Sequence, residues 1–176
     1  DRQKQWDYGL QTLQQMGYDF KAGRQDISSH PFTTSFSPLD VRVTTRINDN
    51  SFDEMLWSCI HEGGHALYEQ GLSPDDYGLP TGEATSLGIH ESQSRLWENH
   101  VGRSRVFWKK WLPRAAELFP NLRKLSLDQF LAAVNVAEFS FIRVEADEAT
   151  YDLHILLCFG IERRMVSGEL KVADVP

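Results

Sequence analysis

The chain has 176 residues, 41% apolar and 24% charged, which suffices for one domain with a buried core and is ordinary for a globular protein. Its formal net charge of -7, from 25 acidic against 18 basic residues, argues against a nucleic-acid surface, which needs a basic face to displace counterions. No stretch approaches the roughly 18 consecutive apolar residues of a membrane span, and none resembles a signal peptide.

In chain order, Trp6, Leu10 and Leu13 recur at helical spacing and predict a helix over 2–16, closed by Gly17. The stretch DISSHPFTTSFSPLD, residues 26–40, is rich in Ser, Thr and Pro and reads as a loop. VRVTTRI, residues 41–47, then alternates apolar and polar with β-branched residues, the pattern of a half-buried strand. Ser51-Phe52-Asp53-Glu54 is a capping box opening a second helix, with Gly71 placed to end it. After the turn-rich connector LSPDDYGLPTG come helices over 84–101 and 104–118, the latter bent or divided by Pro113. Ser126 caps a further helix, and a long one is expected over 140–167 before Gly168. The expected fold class is mainly α, with a small antiparallel β element near residues 39–48. Cys59 and Cys158 are unclustered, so a reducing, cytoplasmic setting is the default.

The second helix carries His61-Glu62-Gly63-Gly64-His65. A helix advances about 100° per residue, so His61 and His65 project from one face, one turn apart, within reach of a single ion. Zinc takes imidazole nitrogen at about 2.0 Å, and two such ligands plus a carboxylate leave a fourth position for water. Glu62 stands beside them, where its carboxylate can take a proton from that water. The plain alternative is a helix with two incidental histidines. Against it, each interior glycine costs about 1 kcal/mol relative to Ala, and two in a row need a reason such as close approach of another element or a substrate. A third ligand must come from elsewhere, because position 68 is Tyr and no histidine follows in the register of the longer H-E-x-x-H-x-x-G-x-x-H signature. Glu69 lies on the same helix about 12 Å along the axis from His61, too far to share the ion. Glu83, at the end of the connector, and Glu91, inside the next helix, both qualify. A di-iron bundle would need a second E-x-x-H, and residues 27, 87, 97 and 151, three before the other histidines, are Ile, Leu, Trp and Tyr.

Five motifs in order carry a family resemblance: His30-Pro31-Phe32, Asp40-Val41-Arg42-Val43-Thr44, His61-Glu62-Gly63-Gly64-His65, His90-Glu91-Ser92-Gln93 and Ile142-Arg143-Val144-Glu145-Ala146-Asp147. Together they resemble the carboxypeptidase Taq family of zinc metallocarboxypeptidases across nearly the whole chain. The resemblance implies a helical zincin that hydrolyses the C-terminal peptide bond of peptides. His61, His65 and Glu91 would bind zinc, with cobalt fitting the same nitrogen and oxygen ligands, and Glu62 would be the general base and later proton donor. Arg143 would grip the substrate's terminal carboxylate; His90 and His30 are candidates for further substrate contact, a loop histidine beside proline, as His30 is, being more often structural. A homodimer is implied for the full-length enzyme. The family's G-x-x-Q-D-x-H-W motif has no match here, so residues 1–176 are expected to form one domain, a partial catalytic domain of a longer enzyme. An inactive metal-binding portion and a non-catalytic helical interaction module are the competing readings. For the supporting residues the structural alternatives are an i,i+4 ion pair from Arg143 to Asp147, a bracing role for His90 beside Glu91, and an Asp40–Arg42 pair that fixes the strand.

Overall fold

The computed structural model of the chain describes residues 1–175, Glu145 by its backbone alone, and divides into a unit of Asp1–Leu127 and a second unit from Asp128. In the first unit, helix α1 (Arg2–Met16) starts where the Asp1 carboxylate accepts the Lys4 amide and stops at Gly17, whose φ of 105° favours a residue without Cβ. Three short strands follow: β1 (Gln25–Ile27), β2 (Thr33–Ser37) and β3 (Asp40–Thr45). The sheet order is β1-β3-β2, with β1 parallel and β2 antiparallel to β3. The strand expected at 41–47 is therefore the centre of the sheet, and the expected loop over 26–40 supplies β2 and most of β1. Asp40 and Arg42 do pair, through two 2.8 Å bonds within β3.

Helix α2 (Asp53–Gln70) lies against the sheet and α1. Val41 and Val43 point inward from β3 and meet Leu13 and Tyr18 of the α1 region and Ala66 of α2 in one buried cluster. Only half of the expected capping box forms: Ser51 Oγ accepts the Glu54 amide, while the Glu54 carboxylate turns instead to Asn48 and Arg46. Helix α3 (Leu87–Arg95) begins three residues later than expected, because Ser86 caps it by accepting the Ile89 amide. It continues as a π-wound segment, Leu96–Val101, marked by the Gly102 amide reaching the Trp97 carbonyl at 2.7 Å. Helix α4 (Arg105–Leu118) is continuous through Pro113, which sits on its exposed side, and buries Trp108, Leu112 and Ala115. Tyr8 gathers Phe52, Trp111 and Phe119 within about 6 Å, centroid to centroid, and so ties α1 to α4.

In the second unit, helix α5 (Leu127–Val134) is followed by irregular chain, a 3-10 turn at Arg143–Glu145, and helix α6 (Glu148–Val166). The helix expected from residue 140 thus starts at 148. Asp147 stops it from starting earlier: its carboxylate accepts the Ala149 and Thr150 amides as an N-cap and also the Glu138 amide. This excludes the helical i,i+4 pairing of Arg143 with Asp147. No described residue of α6 is buried, and Leu153, Leu156, Leu157 and Phe159 are all exposed. The mainly α class with a small sheet is as the sequence predicts. Among the described residues no helix is long and apolar enough to cross a membrane.

Candidate metal centre

The two glycines of α2 explain how the centre assembles. A Cβ on Gly64 would stand 2.7 Å from Ser94 Cα and 2.9 Å from the Gln93 carbonyl oxygen, so α3 presses its backbone directly onto α2 there. A Cβ on Gly63 would meet the side-chain ends of Leu13 and Met16 on α1. The close approach of α3 brings Glu91 over the histidine face of α2. Glu91 Oε1 is 3.7 Å from His61 Nε2, and Glu91 Oε2 is 3.4 Å from His65 Nε2. One ligand atom from each of the three residues falls within 4.8 Å of the others. Two ligands about 2.0 Å from a tetrahedral ion stand about 3.3 Å apart, so the set fits a small divalent cation with little adjustment. Of the two candidate glutamates it is Glu91 that meets the histidines; Glu83 is exposed in extended chain after the connector.

Each histidine is tied on its far side. His61 Nδ1 lies 2.7 Å from Glu98 Oε2, a carboxylate only 14% exposed and flanked by Arg95 and Arg103 at 3.9 and 3.7 Å. Arg103 in turn lies over the Trp57 ring, 4.4 Å from its centroid. His65 Nδ1 lies 2.6 Å from His90 Nδ1, and His90 Nε2 lies 2.7 Å from Glu69 Oε1. Both Nδ1 atoms engage protein partners, and both Nε2 atoms face Glu91. Glu62 is buried, with the Thr33 hydroxyl of β2 2.7 Å from its Oε2.

The electrostatics favour a cation. Burial alone would lower the His61 pKa, but the hydrogen bond and charge of Glu98, with the charges of Glu62 and Glu91, raise it. The Glu91 pKa is lowered, chiefly by its hydrogen bond with His65, against an opposing effect of burial. For Glu98 burial pushes upward, yet the bond to His61 and the charges of His61, Arg95 and Arg103 hold it low.

The other expected residues are placed less centrally. His30 is exposed in the connection between β1 and β2, where its carbonyl accepts the Ser28 hydroxyl. Arg143 is exposed in the second unit. Glu98 and Thr33 escaped the sequence reading. A trace of Glu98 was present, since seven residues after Glu91 is nearly two full turns and hence the same helix face; Thr33 carried no signal within a stretch read as loop.

An H-E-x-x-H helix whose histidines meet a glutamate from the following helix is the arrangement of a metallopeptidase. The chain belongs to the carboxypeptidase Taq (M32) metallopeptidase family, whose profile matches residues 1–176. It is 51% identical over 169 residues to thermostable carboxypeptidase 1 of Thermus thermophilus, covering 96% of this chain and 33% of that protein. With carboxypeptidase 1 of Bacillus subtilis it shares 44% identity over 176 residues, 99% of this chain and 35% of that protein. The crystal structure of the M32 carboxypeptidase from Deinococcus radiodurans superposes with a TM-score of 0.95 at 44% identity, covering 99% of this chain and 35% of that one. The chain therefore spans about a third of the length of these relatives.

Proposed function

We propose that this chain is the metal-holding part of a zinc metallocarboxypeptidase that hydrolyses the C-terminal peptide bond of peptides. The observation carrying the proposal is the convergence of His61 Nε2, His65 Nε2 and the Glu91 carboxylate within one ion's reach. His61, His65 and Glu91 would hold a divalent cation, zinc in our assignment with cobalt a competent substitute, which would supply Lewis acidity and make water a better nucleophile near neutral pH.

Glu62 takes the proton from the attacking water on its carboxylate and delivers it to the departing amine nitrogen, so that the two new chain ends leave with their atoms balanced. Thr33 holds one oxygen of that carboxylate, Oε2, and thereby aims the other. For Arg143 we carry over from the family resemblance the role of gripping a peptide's terminal carboxylate, a task suited to the two-pronged guanidinium. His30 is a further candidate for substrate contact. We carry over from the family a homodimer for the full-length enzyme, with residues 1–176 as part of its catalytic domain, and keep the cytoplasmic setting that the unclustered Cys59 and Cys158 suggest.

The test compares the parent chain with Glu62→Gln for metal content and for cleavage of an N-blocked dipeptide. We expect one equivalent of metal in both and cleavage by the parent alone. Metal in both with cleavage in neither would mean a complete metal centre in an incomplete enzyme, the second reading favoured by the share of the relatives that the chain spans. A parent that binds no metal would sink the proposal.

A further inference from the structure

We infer that His90 is a positioning residue that fixes the tautomer and aim of His65, with Glu69 holding it in turn; the inference rests on the metal-centre reading above. The three groups form a chain: Glu69 Oε1 to His90 Nε2 at 2.7 Å, then His90 Nδ1 to His65 Nδ1 at 2.6 Å. Glu69 and His65 stand four residues apart on α2, and His90 reaches between them from α3. The Tyr68 ring stands edge-on to His90, 5.1 Å between centroids. His90 and Glu69 are both largely withdrawn from solvent, at 19% and 16% side-chain exposure.

The proton count along this chain has one solution that leaves His65 able to bind a cation. An ionised carboxylate only accepts, so His90 carries its proton on Nε2 and offers a lone pair at Nδ1. His65 must then donate from Nδ1, which leaves the Nε2 lone pair bare and pointed toward Glu91. The opposite tautomer of His65 would aim an N–H into the centre and block coordination there. Glu69 thus selects the tautomer of a histidine it does not touch, by way of His90. His61 receives the same service directly from Glu98. With both ring nitrogens of His90 engaged by the protein, neither is left to recognise a peptide, which separates this role from substrate contact.

Three forms of the chain decide the matter, with cobalt(II) alone as the probe and a competing chelator to obtain its dissociation constant. His90→Phe keeps a ring but removes the acceptor, and should weaken cobalt binding by about 10- to 100-fold. His90→Asn puts an amide oxygen where Nδ1 stood and should recover most of that loss. The visible spectrum of bound cobalt should change in the Phe variant and return toward the parent's in the Asn variant. Parent-like affinity in His90→Phe, or an Asn variant no better than Phe, would overturn the relay. So would a rise in KM with cobalt affinity unchanged, the signature of a substrate contact. A parent that takes up no cobalt overturns the centre itself and the relay with it, whereas a binding parent alongside an equally binding Phe variant overturns the relay alone.

Discussion

His61 depends on a carboxylate that contributes no ligand atom. Glu98 sits 2.7 Å from its Nδ1 and is itself balanced by Arg95 and Arg103. The π winding of Leu96–Val101 carries Glu98, and such wider turns recur where helices serve functional sites. Removing the carboxylate has two effects of the same sign: His61 loses its orienting acceptor, and a negative charge beside the proposed cation is lost. Glu98→Ala should therefore weaken metal binding by about 10- to 100-fold, and Glu98→Gln, which keeps an acceptor oxygen, by less. A chelator-competition titration of both variants checks the order; equal affinities in parent and Ala variant would contradict it.

Between elements, the informative contrast is Gly63 with Gly64. A methyl group at 64 runs into the main chain of α3, which has no rotamer to change, so Gly64→Ala should cost about 1–3 kcal/mol and push Glu91 off the histidines. At 63 it meets only the flexible ends of Leu13 and Met16, and the gain of about 1 kcal/mol in helix propensity offsets the crowding. Thermal melts should show a clear fall in Tm for Gly64→Ala and little for Gly63→Ala; the reverse order would refute the backbone contact. This glycine pair also marks how far the sequence could be read. Two unneeded glycines signalled that something approaches α2, while their neighbours could not say what. Helix α1 was legible from its apolar spacing and Gly17, whereas Pro113 suggested a break in α4 that its exposed position makes unnecessary. The strands β1 and β2 were not, because QDI is three residues long and TTSFS shows no apolar alternation. The start of α6 was misplaced because helical periodicity continues upstream of Asp147, whose capping bonds only the folded chain displays. At the site, the pairing of His61 with His65 was readable from helical spacing, while spacing left Glu83 and Glu91 both open and only the order of the motifs pointed to Glu91. Glu98 and Thr33 were not, since their roles depend on a π segment and an edge strand.

Across the molecule the two units differ in how firmly their helices are held. α2 buries eight residues, whereas no described residue of α6 is buried. Proteolysis requires local opening, which is easiest where few apolar contacts resist it. Brief chymotrypsin treatment followed by mass spectrometry should therefore find early cuts at Tyr151, Leu156 or Phe159 of α6, and late ones at Leu56, Trp57 or Tyr68 of α2. Early cleavage within α2 would contradict this ordering. Helix α2 also packs against α1, β2, β3, α3 and the π segment, while α3 buries only Ser94. The helix that carries His61 and His65 is thus also the one on which its unit is assembled. A substitution in α2 therefore tests the folding of its unit before it tests the candidate centre. In α3, where Ser94 alone is buried, a changed side chain alters the surroundings of Glu91 and leaves the packing of α2 on the sheet in place.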